Sequence, residues 1–497
     1  MLAHLSKSRY CQGVQCPKIL WLRANKPEEY DDSVMNPAVL ATGNEVGDLA
    51  MGLFGDFKEI PFAPNDFGSM VQQTKTLIQQ GTPIIAEATF SHQGLFCMVD
   101  ILKNVGNHAV ELYEVKSSTG MHDIYYDDAA FQRYVLTMAG CQVERVCLVH
   151  INNRYVRHGE LDLSELFHIE DITAETAAAH ESVAANIQRF EDYMGQQKEP
   201  GDTIGEHCFH PYACGFFGYC TKNLPRPNVF DVAGMREKTK WQHYRNGTIS
   251  FPDLQANGKL NEKQALQVDT ELSGKPHIDR DAIREFLSTL SFPLYFLDFE
   301  TFAPAIPPFD GVHPYEKIPF QYSLHCIEKE GDEAKHKEFL ACPGEDPCRA
   351  LAEQLCTDIP MDVCTTAYNM GFEKSVIAAL ADLFPDLRDH LMNIHGNMKD
   401  IMIPFAQKHY CLKEMNGSYS IKYVLPALCP SDPALDYKNL EGVQNGNDAS
   451  AAFARMAAMA PEERNRMREN LLKYCGLDTL AMVKVWEKLK EAAGSDG

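Results

Sequence analysis

Residues 206–220 read EHCFHPYACGFFGYC, with five residues between successive members of the trio Cys208, Cys214 and Cys220. Three thiols this close, interleaved with Phe, Tyr and His, read as a ligand set and not as scattered core cysteines. Structural zinc sites usually draw at least one C-x₂₋₄-C knuckle from the chain, and this stretch has none. Iron–sulfur clusters accept wider spacings and take four thiolates. The fourth is expected from Cys16 in YCQGVQCPKILWL, with Cys11 in the same stretch as the alternative. Joining Cys16 to the 206–220 stretch pins together two distant parts of the chain. A first domain is therefore expected over residues 1–224. The competing reading is a set of buried cysteines with no ligand.

The 497 residues allow two or three domains, each with its own core. Hydrophobic content of 45% and charged content of 23% are those of an ordinary globular chain. MLAHLSKSRYCQG lacks the apolar segment of a signal peptide, and no run reaches membrane-spanning length. Sixteen cysteines spread along so long a chain fit a reducing compartment, so a cytoplasmic location is expected, with no membrane partner. A net charge of −23 argues against broad adhesion to nucleic acid or anionic lipid. It does not exclude an enzyme that gathers carboxylates at metal sites and confines basic groups to one groove.

In chain order, CPKILWLRAN predicts a helix with Pro17 in its first turn. NPAVLATGNEVGDLAMGLF predicts a second helix, with Val39, Leu40, Val46, Leu49, Ala50 and Leu53 as its apolar stripe. TPIIAEATFSHQGLFCMVDIL alternates about a Gly94 turn and reads as a hairpin. HAVELYEVKSST is a strand, YYDDAAFQRYVLTMAG a helix ending at Gly140, and CQVERVCLVHIN a strand. The result is an α/β core, and residues 160–200 read as mostly helical. Glu114 and Lys116 alternate onto one face of their strand, and a neighbouring strand can bring Asp100 beside them. Two carboxylates can bind a divalent metal, and a lysine can position water or offset phosphate charge. The plainer alternative is a surface strand with an ordinary ion pair.

These residues, bracketed by Cys16 and by Cys208, Cys214 and Cys220, resemble the RecB-like nucleases of the PD-(D/E)XK superfamily. The likeness is to their iron–sulfur branch, which includes the CRISPR-associated exonuclease. It covers roughly residues 5–224 and implies a restriction-endonuclease-like fold with a 4Fe–4S cluster. It further implies that Asp100 and Glu114 bind Mg²⁺ or Mn²⁺, that Lys116 assists catalysis, and that Gln132 or Tyr134 helps hold the strand. Where that family often supplies a histidine from an early helix, GNEVG here offers Glu45 as a further metal ligand.

LPRPNVFDV, residues 224–232, marks a boundary, and residues 225–290 read as a small helical connector. Residues 291–497 are expected to form the last domain. FPLYFLDFETF is a buried strand carrying Asp298 and Glu300 on one face, a costly burial unless a cation compensates it. VCTTAYNMGFEKSVIAALA runs from strand to helix, with Asn369 and Glu373 at the junction. LLKYCGLDTLAMVKVWEKL is an amphipathic helix bringing Tyr474 and Asp478 to one face, though Gly476 speaks against an unbroken helix.

DxE, N-x₃-(D/E) and Y-x₃-D in this order resemble the DnaQ-like 3′–5′ exonucleases, the DEDD class with tyrosine, which have a ribonuclease H-like fold. The likeness implies that Asp298, Glu300 and Asp478 hold two metal ions and that Tyr474 orients the attacking water. Glu373 stands where that class has aspartate, with Asp400 in MKDIM as the alternative acid. Lys422 in GSYSIKYVLPAL is a candidate phosphate contact. The expected function is that of a metal-dependent nuclease acting on nucleic acid, DNA with a free single-stranded end first. The rival is a nucleic-acid-binding scaffold whose cluster is structural.

Overall fold

A computed structural model of the chain describes residues 5–201, 203–430, 432 and 435–494. It is a mixed α/β protein that divides into two compact units, Met1–Asn223 with Pro304–Tyr315, and Leu224–Ala303 with Glu316–Gly497.

The first unit is built on a seven-stranded sheet. Its strands are β1 (Leu5–Ser6), β2 (Lys58–Glu59), β3 (Ile84–His92), β4 (Leu95–Gly106), β5 (Ala109–Lys116), β6 (Gln142–Ile151) and β7 (Phe167–Asp171). Their order is β2-β3-β4-β5-β6-β7, with β1 paired to β4. Gln93 and Gly94, at φ 46° and 86°, close the β3–β4 hairpin in the doubly positive conformation that matches strand twist. Alternation then sorts the side chains. Val110, Leu112, Val146 and Leu148 share a core with Tyr10, Phe131, Val135 and Phe190. These four come from helices α1 (Lys7–Gln15), α5 (Asp123–Met138) and α6 (His180–Met194). Tyr113, Val115, Cys147 and Val149 meet Val46 and Ala50 on the opposite face. The last two belong to α3 (Pro37–Ala50), which follows α2 (Pro17–Asn25), while α4 (Phe67–Gln79) leads into β3.

Three expectations are revised by the fold of this unit. Residues 160–200 are not simply helical, because FHIED forms β7 on the sheet edge. Val39 and Leu40 do not enter the core and are 60% and 57% exposed, since the first turn of α3 runs past the edge of the packed face. Residues 304–315 belong with the first unit and not with the last domain. Ala305 is buried beside Val46 and Ala50. The Arg157 guanidinium donates to the carbonyls of Pro307 and Pro308 at 3.0 Å each, and the Gly159 N–H donates to Asp310 at 2.8 Å. The Tyr315 hydroxyl donates to the carbonyl of Ser117, the residue after Lys116.

In the second unit, residues 225–290 are not a free-standing connector and cluster with residues 291–303 and 316–497. Val229, Val232, Met235, Phe251, Leu254 and Val268 form a small core, and β8 (His277–Ile278) pairs with the later strand Tyr410–Cys411. The main sheet holds β9 (Leu294–Phe302), β10 (Ile318–Ile327), β11 (Lys335–Leu340), β12 (Cys364–Ala367) and β13 (Met398–Asp400) in the order β11-β10-β9-β12-β13. β9, β10 and β11 pair antiparallel; β12 is parallel to β9 and to β13. Among the helices of this unit, α7 (Gly371–Leu383), α8 (Ile421–Leu428), α9 (Gly446–Met456) and α10 (Pro461–Ala493) bear on the site. α10 runs unbroken for 33 residues through Gly476, where an added Cβ would stand 3.5 Å from the His336 ring. Its Ala481, Met482, Val485 and Leu489 close over Leu294 and Phe296 of β9. Among the described residues, no helix is long and apolar enough to cross a membrane.

Candidate active sites

β9 is the middle strand of the second sheet, and its alternation puts Asp298 and Glu300 on one face. α10 lies against that strand. The Cys475 thiol donates to Asp298 Oδ2 at 3.7 Å, and one ligand atom each from Asp298, Glu300 and Cys475 lie within 4.8 Å of one another. Asp478 stands one turn along from Tyr474. The Tyr437 hydroxyl donates to its Oδ1 at 2.6 Å, and the Tyr474 hydroxyl also bonds its carboxylate. Burial, then the neighbouring charges of Asp478, Glu300 and Glu373, pushes the Asp298 carboxyl well above the usual range. Glu300 is raised in the same way, against the pull of the Lys422 ammonium. Burial takes Asp478 up to about 6 even though two tyrosine hydrogen bonds and Lys422 favour its ionised form.

Glu373, in the first turn of α7, is buried and pushed up to about 8 by that burial. Its Oε2 is enclosed with no hydrogen-bond partner. Asp400 is different. Its carboxylate accepts the backbone N–H groups of Asn369 and Met402 at 2.9 Å each, and of Met370 at 3.2 Å. It therefore fixes the β12–α7 turn, where Asn369 takes φ 69°, and Glu373 is the acid that faces Asp298 and Glu300. Tyr437 and Cys475 were missed in sequence. Tyr437 opens a single 3-10 turn, Tyr437–Asn439, far from any motif, and Cys475 reads as one more core thiol.

In the first unit, the register that pairs Ile101 with Tyr113 carries Asp100 toward Glu114. Asp100 Oδ2 accepts the Val115 N–H at 2.6 Å. The Lys116 ammonium donates to Glu114 Oε1 and Asp128 Oδ2 at 2.7 Å each. Gln132 is buried; it donates to Glu114 Oε2 at 2.7 Å and to Asp128 at 3.0 Å, and its Oε1 has no partner. Tyr134, two residues on and so on another side of α5, packs against the His180 ring, centroids 4.8 Å apart and planes tilted by 41°, and does not join the cluster. Glu45 is exposed on α3, and among the described residues no hydrogen bond or ion pair links it to Asp100 or Glu114. The nearby extra acid is Glu87. At φ 55° it interrupts β3 opposite Asp100, and burial followed by the Asp100 charge raises it to about 7. Asp128, Glu87 and Lys7 are the residues that sequence reading missed. Lys7 Nζ lies 2.7 Å from Glu114 Oε1 and 3.8 Å from Asp100. Burial opposes its charge, but Glu114, Asp100 and Asp128 outweigh burial and hold its pKa well above the ordinary lysine value.

Cys16, Cys208, Cys214 and Cys220 line one small pocket together with Ile19 and Phe216. Cys11 lies apart, packed against the first core. Burial raises the Cys208 thiol to about 12 and Cys214 to about 11, and raises Cys220 as well. The Gln15 amide holds the loop by donating to the carbonyls of His207 and Tyr212 at 2.8 and 2.7 Å.

A family model described as a domain of unknown function, DUF2779, matches residues 295–420. The match spans Asp298, Glu300, Glu373 and Asp400 and stops short of Tyr437, Tyr474 and Asp478. No curated protein and no solved structure matches the chain.

Proposed function

We propose that the chain is a metal-dependent nuclease whose second unit is a DnaQ-like 3′–5′ exonuclease of ribonuclease H-like fold. The observation that carries this reading is the meeting of the buried Glu300 and Glu373 with the half-buried Asp298 and Asp478, mutually repelling and without enough positive charge nearby. Such a set is costly unless cations compensate it, and the unpartnered Glu373 Oε2 is the atom a cation would satisfy. All-oxygen donors suit Mg²⁺ or Mn²⁺. When bound, two such ions supply an activated hydroxide and stabilise charge on the leaving oxygen of a phosphodiester.

The chain's own groups have separate tasks. Tyr474, whose pKa burial raises far above the usual tyrosine value, stays protonated; with its one O–H given to Asp478, its hydroxyl oxygen accepts a hydrogen bond from the attacking water and so orients it. Tyr437 fixes the Asp478 carboxylate. Lys422, with Tyr437, lines a cavity of about 890 Å³ and meets the phosphate backbone there. Digestion of 5′- and 3′-labelled DNA and RNA strands with Mg²⁺ or Mn²⁺ tests the reading. Trimming from 3′ ends, abolished by Asp298→Ala, is expected. Degradation from 5′ ends alone, untouched by Asp298→Ala, would overturn it.

The first unit is read as a RecB-like, restriction-endonuclease-like domain. Its four pocket cysteines fit a 4Fe–4S cluster better than zinc. They include no C-x₂₋₄-C knuckle of the kind structural zinc sites usually use, and four thiolates are what such a cluster takes. Asp100 and Glu114, with the unpartnered Gln132 Oε1, fit a divalent ion. A cavity of about 520 Å³, lined by Lys116, Asp128, Val39, Leu40 and Tyr212, suits a single strand stacking its bases on apolar and aromatic surface. One observation favours a second reading of this unit as a binding module. Lys7 already neutralises Glu114 where a cation would sit. Cleavage that survives Asp298→Ala and disappears with Lys116→Ala assigns hydrolysis to this unit; none surviving assigns it binding alone.

A further inference from the structure

We infer that His150, His168 and Glu170 form a separate binding site for a borderline divalent cation of the zinc class, on the sheet of the first unit. β6 and β7 are antiparallel, and their register sets His150 directly opposite His168. Glu170 lies two residues beyond His168 and so on the same face. One ligand atom from each lies within 4.8 Å of the others, and the two imidazoles are 5.1 Å apart.

Two features distinguish this group from an ordinary surface pair. His150 is buried, an unusual place for an imidazole on a sheet. Its Nδ1 stands 3.2 Å from the carbonyl of Ile151. A proton on Nδ1 satisfies that carbonyl and leaves Nε2 its lone pair, the arrangement by which a backbone carbonyl orients a ligating histidine.

The site does not depend on the nuclease reading. Register places His150 beside Lys116, but the Lys116 charge is already taken up by Glu114 and Asp128. It therefore repels a neighbouring cation little. Two imidazoles and one carboxylate favour Zn²⁺, Ni²⁺ or Co²⁺ over Mg²⁺. A bound zinc draws its ligand atoms to about 3.3 Å. His168 is exposed and Glu170 half-buried, so both can close that gap by changing rotamer, leaving the outer positions of the ion to water.

The test is calorimetric titration of Zn²⁺ into the full-length protein, comparing wild type, His168→Ala and Glu170→Gln. The two altered residues are not core residues, and unchanged thermal melts without zinc will confirm folding. Wild type is expected to take up one more equivalent of zinc than His168→Ala, and Glu170→Gln to bind that equivalent at least tenfold more weakly. Zinc should also raise the melting temperature of wild type more than that of either variant. The same stoichiometry and affinity in wild type and His168→Ala would overturn the site. So would loss of the zinc equivalents only with Asp298→Ala or Cys214→Ser.

Discussion

Glu373 and Asp400 are both buried acids near the ends of adjacent parallel strands, yet their surroundings give them opposite work. Three backbone N–H groups saturate the Asp400 carboxylate, so Asp400→Asn is expected to cost about 1–3 kcal/mol of stability and little turnover per folded molecule. Denaturant titration beside single-turnover cleavage checks this. Glu373→Gln keeps shape and loses charge; it is expected to cut 3′-end trimming on the order of 10²-fold with little change in folding. The pH dependence follows from the same burial. A carboxyl raised from its ordinary value to about 8 adds stability at low pH and loses it as pH rises through that value. Metal-free protein should therefore melt lower at pH 8.5 than at pH 5.5. The rise in melting temperature on adding Mn²⁺ should grow over that range, because the ion replaces the protons. Sequence made Asp298, Glu300 and Glu373 visible because acids interrupt apolar runs there. It could not separate Gln132 from Tyr134, since only the settled rotation of α5 decides which of them faces Glu114. Glu87 was invisible for a different reason: a single residue at φ 55° turns it toward Asp100, and no local pattern announces that turn.

At the level of elements, α10 is tied to β10 by a polar chain and not by packing alone. The Ser323 hydroxyl meets Thr479 at 2.7 Å and His336 at 2.9 Å, and His325 Nδ1 meets Thr479 at 2.8 Å. Burial, then the nearby His336, pushes His325 down to about 4. A depressed histidine binds fewer protons folded than unfolded, so the second unit should lose stability as pH falls from about 6.5 to about 4. His325→Gln should flatten that acid limb, as read from melts across the range. The long helix was only half legible, because Gly476 resembles a break. In place it makes only ordinary contact with His336, so Gly476→Ala should be tolerated and can add up to about 1 kcal/mol. Gly215 has no such room. A Cβ there would lie 2.5 Å from the Tyr30 ring, so Gly215→Ala should displace the neighbouring Cys214 and lower the iron retained on anaerobic purification. β7 escaped sequence reading because an edge strand with one buried position, FHIED, lacks the alternation that marks a half-buried strand.

For the whole molecule, the chain passes from one unit to the other at Asn223, again at Ala303, and a third time at Tyr315. A fragment ending at residue 223 therefore lacks Ala305, Ile306 and Tyr315 from its second core face. Covering an apolar side chain is worth roughly 1.5–3 kcal/mol, so that fragment should melt below the first unit of the full chain. Adding a peptide of residues 304–315 in trans should recover part of the loss. The alternating pattern of β3 to β6 disclosed the α/β sheet, but a run such as PPFDGVHPY carries no sign of which core it will join. The borrowed segment also imposes an order of events during synthesis. A ribosome adding 5–20 residues per second needs roughly 5–20 s to travel from residue 223 to residue 315. For that interval the newborn first unit waits with its second core face uncovered, and only the arrival of residues 304–315 closes it.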